Sequence, residues 1–206
     1  DLDPRPYLER LDDMAAALRA RLPEGLSPEG DDPRRVASTL ADFLFREQGF
    51  RGDTRNYYDP RNSFLNEVLD RRTGIPITLS TVYMEVARRA GIQVAGVSLP
   101  GHFVVKHRHG SSDLLVDPFH EGRVLTEADC QERLDRIFEG RMKMEPRMLE
   151  AVSTRRILER MLRNLKALYT KAEDHPRTLR AIELLLCLGP ESPEDLRDRG
   201  LVYAAL

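Results

Sequence analysis

Two residues with the chemistry of a catalytic relay stand in the middle of the chain: His102, in LPGHFVVKH, and Asp117, in LLVDPF. An imidazole can exchange a proton with a nucleophile, and a carboxylate can hold that imidazole in one tautomer. The third member of such a relay is a nucleophile at a helix N-terminus, where free backbone amides and the helix dipole favour a thiolate. The helix that precedes the pair lies in TGIPITLSTVYMEVARRAGI, residues 73–92, and contains no cysteine. Thr78 and Ser80 near its start carry hydroxyls, which are weaker nucleophiles that need a well-aligned base. Their ordinary role is to bond the backbone of their own helix turn.

The remaining candidates have structural readings beside chemical ones. Cys130 falls in the helix predicted after the strands and is expected to be a buried thiol, with a displaced nucleophile as the alternative; Cys187, within LLLCL, reads as core. A histidine after Pro-Gly and an aspartate before proline are also common turn residues. His107, His109 and His120 form an imidazole-rich neighbourhood with Asp113 and Glu121, but they straddle a Gly-Ser turn, so neither a metal nor another cofactor is expected. Tyr57, Tyr58 and Asn62, on the way into the central helices, are candidates to line a binding cleft.

The elements that must position these groups are legible from periodicity. Leu8, Leu11, Met14, Leu18 and Leu22 predict a first amphipathic helix, broken by PEGLSPEGDDP. Asp32 and Pro33 open a second helix with Val36, Leu40, Phe43 and Leu44 along one side. A polar loop, FRGDTRNYYDPR, leads to a short third helix capped by Asn62 or Ser63, with Phe64, Leu65, Val68 and Leu69 inward and Gly74 at its end. Pro76 suits the first position of the fourth helix, Leu79, Val82, Tyr83, Val86 and Ala87 its buried face, and Gly91 its stop. QVAGVSL, HFVVKH and DLLVDPF then read as strands of a small antiparallel sheet. LTEADCQERLDRIF returns to helix, with Thr126 as its cap and Asp129 completing a weak capping box. Three further helices follow from Thr154, like the start of a helix-hairpin array; such arrays need about three units to bury their faces. Either this tail packs on the preceding domain or the chain continues past Leu206.

Composition narrows the function classes. Over 206 residues the net charge is −2, which offers no global basic field for nucleic acid or anionic lipid. The arginines near Arg34 and from Arg155 to Arg163 read as solvated helix faces, so no nucleic-acid partner is expected. No apolar run is long enough to span a bilayer, and the acidic, polar start does not resemble a signal peptide. Two cysteines without paired spacing suit a reducing cytoplasm.

The block DPRNSFLNEVLDRRTGIPITLSTVYMEVARRAGI, together with LPGHFVVKH, LLVDPF, ILERMLRNLKALY and PEDLRDRGLVYAAL, resembles the SirB-type transglutaminase-like core family. In that family the core precedes tetratricopeptide-like helices. The resemblance implies an α+β fold, papain/transglutaminase-like helices packed on a small antiparallel sheet, followed by a helical repeat-like tail. The divisions expected are an N-terminal helical segment at 1–30, the transglutaminase-like domain at 31–150, and the tail at 151–206. Active members start the nucleophile helix with Gly-x-Cys; here the matching residues are Gly74, Ile75 and Pro76, and proline has no nucleophilic side chain. The resemblance therefore implies a non-catalytic or vestigially catalytic protein-interaction module, bacterial and regulatory, with a protein or peptide partner. The alternatives are a hydrolase or amide-transfer enzyme using His102 and Asp117 with Ser80, Thr78 or Cys130, and a peptide-binding cleft in which His102 donates a hydrogen bond.

Overall fold

The computed structural model describes residues 2–22, 32–109, 112–190 and 192–206. The PEGLSPEGD break, the Gly110–Ser111 turn and the side chain of His109 lie outside the described residues. Helix α1 spans Arg5–Arg19 and buries Leu11, Met14, Ala15 and Leu18, whereas Leu8, expected on the same stripe, is exposed. Helix α2, Pro33–Ala41, begins where Asp32 accepts a hydrogen bond from the Arg34 N–H, and runs on as π-helical turns over Asp42–Glu47. That continuation keeps Phe43 and Leu44 in the core with Val36 and Leu40.

The loop read as irregular carries structure of its own. Strand β1, Arg51–Gly52, pairs in parallel with β2, Thr73–Gly74, and a 3₁₀ turn covers Pro60–Ser63. Helix α3, Leu65–Arg71, starts after Phe64, which is exposed, and not at Asn62 or Ser63. It ends at Arg72, in the left-handed conformation, before Gly74 is reached. Helix α4, Pro76–Arg89, begins at proline as predicted. Its predicted inward face, Leu79, Val82, Tyr83, Val86 and Ala87, is buried.

Strands β3 (Val94–Val97), β4 (Val104–His109), β5 (Ser112–Asp117) and β6 (Arg123–Leu125) form one antiparallel sheet in chain order. The last strand was not anticipated, because its three residues carry too little alternation to register as a strand. Alternate side chains of the sheet serve different clusters. Val105, Leu114 and Val116 pack with α1, α2 and α4. Val104, Leu115 and Leu125 face the other way, toward Cys130 of α5, Glu127–Phe138. The expected cap of α5 is a complete capping box, Thr126 Oγ1 accepting from the Asp129 N–H at 3.1 Å and Asp129 from the Thr126 N–H at 2.8 Å.

After α5 the chain returns along the sheet edge, where Val152 N–H donates to Gly96 C=O at 2.9 Å and Ala151 bridges Val97. Covering β3 in this way leaves less open edge for another chain. Helices α6 (Thr154–Lys171), α7 (His175–Leu188) and α8 (Pro193–Ala205) then stack as successive hairpins. Helix α6 docks through Ile157 and Met161 on Ile75, Ile77 and Phe103. Ile157 and Met161 are half-buried there, so each contributes part of the about 1.5–3 kcal/mol of a fully buried side chain, and the apolar seam seats the tail's first helix. Cys187, expected in the core, is exposed on α7, because its neighbours Leu185 and Leu186 take the inward positions. None of the described helices is long and apolar enough to cross a membrane.

Two polar contacts inside these layers have measurable consequences. His107 Nε2 lies 2.7 Å from the hydroxyl of Tyr83, both buried, and burial pushes the imidazole down to about 4. Unfolded histidine titrates near 6.5, so this group favours the folded state above that pH and loses its contribution as pH falls toward 4. In denaturant titrations, the stability of wild type relative to His107→Gln is expected to fall by about 3 kcal/mol between pH 7 and pH 4. Asp195 at the start of α8 is buried and sits 2.7 Å from Lys166 Nζ of α6. Its burial works against the carboxylate, but bonds from Lys166 and Ser192 outweigh it and hold the group below its ordinary value. Asp195→Ala is expected to cost about 2 kcal/mol in equilibrium unfolding, since it removes a buried acceptor of Lys166 and Arg163 while Asp198 still pairs with Lys166.

Candidate functional site

The site grows from a turn. Leu99 C=O accepts from the His102 N–H at 3.1 Å, and between them Gly101 adopts φ +70°. That angle suits glycine, and a Cβ there would also come within 2.7 Å of Ile137. The turn delivers His102 beside the end of β5, where its Nε2 lies 2.8 Å from Asp117 Oδ2. Both side chains are buried. The same Oδ2 lies 2.8 Å from His120 Nδ1 and 3.4 Å from Arg133 Nη2, while Oδ1 accepts from the Phe119 N–H at 3.1 Å. Burial pushes the Asp117 carboxyl up, but these partners, His102 first, overcome it and keep the group ionised.

An ionised oxygen facing His102 Nε2 fixes the tautomer: Nε2 carries the proton and donates it to Asp117. Burial lowers the imidazole from its ordinary value despite the carboxylate, so the ring is neutral near pH 7. Its Nδ1 makes no hydrogen bond among the described residues and therefore offers a lone pair. In this arrangement Nδ1 is an acceptor near neutrality.

A cavity of about 220 Å³ opens on this ring, and Tyr57, Pro76, Phe103, Arg160 and Asn164 are also in its walls. Pro76 and His102 thus face the same space, with the proline ring at the first position of α4. The alternative nucleophiles lie elsewhere. Thr78 Oγ1 donates toward Asn62 C=O at 2.8 Å and accepts from the Ile75 N–H at 3.1 Å, so it closes the helix start. Ser80 Oγ is buried and reaches Phe103 C=O at 3.5 Å. Cys130 is buried beneath the opposite face of the sheet, and burial raises its thiol from the ordinary value, which disfavours the thiolate.

The binding candidates separate. Tyr57 lines the cavity, its ring edge-on to Phe119 at 6.0 Å between centroids. Tyr58 is exposed in a neighbouring depression with Arg55 and Arg61, outside that cavity. Asn62 is not in the wall: it is buried, donating to Asp53 Oδ2 at 3.0 Å and to Asn56 C=O at 2.9 Å. These bonds fasten the 53–62 loop that presents Tyr57. The imidazole-rich neighbourhood also divides, since His107 points into the core against Tyr83 and Asp113 pairs with Lys106 at 2.7 Å. What the fold gathers instead is His102, Asp117 and His120, whose donor atoms lie within 4.8 Å of one another. Such a trio has the ligand types for a divalent cation. The guanidinium of Arg133 at the shared oxygen opposes a second positive charge there.

Arg160 and Asn164 are not foreseen from the sequence, where the arginines of this segment read as solvated. Arg155 and Arg156 fit that description, pairing with Glu159 at the surface. Arg160 does not: its guanidinium lies over the Phe103 ring, 5.6 Å from the centroid, and Nη1 donates to Ser98 Oγ at 2.6 Å and Leu99 C=O at 2.9 Å. Arg160 lies one helical turn after Ile157, which packs on the same Phe103.

Comparison with known proteins agrees with this architecture. The family model described as the transglutaminase-like superfamily matches residues 5–163, and a tetratricopeptide repeat model matches 165–206. A UPF0162 protein of Xylella fastidiosa is 42% identical over 167 residues, 80% of this chain, which spans 59% of that relative's length. UPF0162 proteins of Vibrio cholerae and Pseudomonas aeruginosa are 30% and 34% identical over 206 residues each, covering 100% and 98% of this chain and 76% and 72% of theirs. No solved structure matches the chain. With a transglutaminase-like core on a small antiparallel sheet, a helical tail and these relatives, the chain belongs to the SirB-type transglutaminase-like family, alongside the UPF0162 proteins.

Proposed function

We propose that this chain is a non-catalytic member of its superfamily, a regulatory protein-interaction module that keeps a papain-like cleft and has lost the nucleophile. The observation that carries the reading is the shared wall of one cavity: Pro76 and His102 line it together, and no hydroxyl or thiol among the described residues is hydrogen-bonded to His102. A nucleophile needs its base within about 3 Å. Thr78 and Ser80 are turned to backbone carbonyls, and Cys130 belongs to a separate apolar cluster. The tetratricopeptide match in the tail supports a protein partner, because such helices present surfaces to other chains.

The retained His102–Asp117 pair has a use without chemistry. It joins the turn before β4 to the end of β5 and leaves an acceptor facing the cleft. A peptide segment with an N–H to donate is the kind of occupant such a group recognises.

Restoring the sulfur tests the assignment. Pro76→Cys is expected to introduce a thiol alkylated by iodoacetamide at pH 7 about tenfold faster than exposed Cys187, by peptide-resolved mass spectrometry, because a helix start and a facing imidazole favour the thiolate. His102→Ala in that background should return the rate to that of Cys187. The wild-type chain should turn over neither amide nor ester test substrates. Turnover by wild type that disappears in Ser80→Ala or Cys130→Ser would sink the non-catalytic reading.

A further inference from the structure

The cleft contains a cation with no carboxylate to answer it. Arg160 makes no ion pair among the described residues, and no acidic residue is in the wall of the cavity it lines. The group is nonetheless fixed. Nη1 is spent on Ser98 Oγ and Leu99 C=O, and the guanidinium plane is supported by Phe103. Nε and Nη2 have no hydrogen-bond partner among the described residues, and together they form the parallel pair of N–H donors that matches the two oxygens of a carboxylate. Burial already weighs against the charge of this arginine, lowering it from its ordinary value, so an anion that completes the pair removes a standing penalty.

We propose that the Arg160 cavity is a carboxylate-binding subsite, and that the cleft takes a peptide residue whose carboxylate docks on Nε and Nη2 of Arg160 while its N–H meets His102 Nδ1. The proposal rests on the peptide-binding reading of the cleft and names the chemistry of its occupant. Asn164, one turn further along α6, lines the same space and supplies an amide for a remaining oxygen. Size agrees: about 220 Å³ is below the ~300–1,000 Å³ of sites for drug-sized ligands and admits a residue or two of an extended chain. Tyr57 and Phe103 provide aromatic walls to the same space.

Such a carboxylate comes either from a peptide C-terminus or from an acidic side chain, and the test separates them. The full chain is titrated, at neutral pH, with N-acetyl-Ala-Gly bearing a free carboxylate, with its C-terminal amide, with N-acetyl-Glu-amide and with inorganic phosphate. The readouts are the Arg160 Nε–Hε resonance and the His102 imidazole signals in nuclear magnetic resonance spectra. Saturable shifts at both reporters are expected for at least one of the two carboxylate probes, and none for the neutral amide. Arg160→Gln should weaken that binding at least tenfold. Arg160→Lys, which keeps the charge and loses the fork, should do so as well while circular dichroism stays that of wild type. No saturable shift with either carboxylate probe, equal binding of the amide-capped peptide, preference for phosphate, or unchanged affinity in Arg160→Lys would each overturn the proposal. Failure here would leave the alkylation result at position 76 standing, so the two readings fall separately.

Discussion

The carboxylate of Asp117 is the point at which this structure closes. One oxygen receives His102, His120 and the guanidinium of Arg133, and the other receives a backbone N–H. His120 and Phe119 belong to the 3₁₀ turn that follows Asp117, while His102 comes from the turn before β4 and Arg133 from α5, so two more distant segments are tied to a single buried charge. An ionised carboxylate in such a place is tolerable only when its lone pairs are filled, and here they are. The arrangement also settles the proton on His102, and with it the character of the whole cleft. A neutral ring pinned at Nε2 cannot rotate to present a donor, so what the cavity offers from that side is a fixed lone pair.

The opposite wall follows from a different constraint. Helix α6 reaches the cavity because its apolar face is seated on Ile75, Ile77 and Phe103, residues that flank Pro76 and His102 in sequence. The same packing that docks the tail therefore brings Arg160 and Asn164 to the cleft. One family model ends at residue 163 and another begins at 165; the cavity is lined by residues of the first match and by Asn164, which falls between the two. The shape of the cavity and the seating of α6 thus depend on one apolar seam.

Much of the scaffold was readable because it is written in local codes. Asp32 before Pro33 and Thr126 with Asp129 specify helix starts by hydrogen bonds within a few residues, and Pro76 at the head of α4 does so by its fixed φ. The inward face of α4 follows from its period alone. The misreadings share a cause, which is reliance on local pattern where a distant partner decides. Asn62 looks like a cap, yet its amide is claimed by Asp53 and Asn56. Cys187 sits among leucines, yet the helix turns it outward. β6 is too short to announce itself and exists because β5 offers an edge. Arg160 looks like its solvated neighbours until Phe103 and the Ser98–Leu99 backbone are brought beneath it. Of the site, the imidazole and carboxylate could be named from sequence; the second wall could not, because the period of α6 marks an inward face but not that this face closes over His102.

The short return of the chain along β3 sets a register for all of this. Val152 is hydrogen-bonded to Gly96, and α6 begins almost at once, at Thr154. An α-helix turns by about 100° per residue, so loss or gain of a single residue between that clasp and the helix would swing Arg160 away from the cavity and rotate a different stripe onto Phe103. The spacing between clasp and helix thus acts as a ruler: it leaves the composition of the segment free and makes its length the quantity that evolution or an engineer cannot vary without emptying the cleft of its cation.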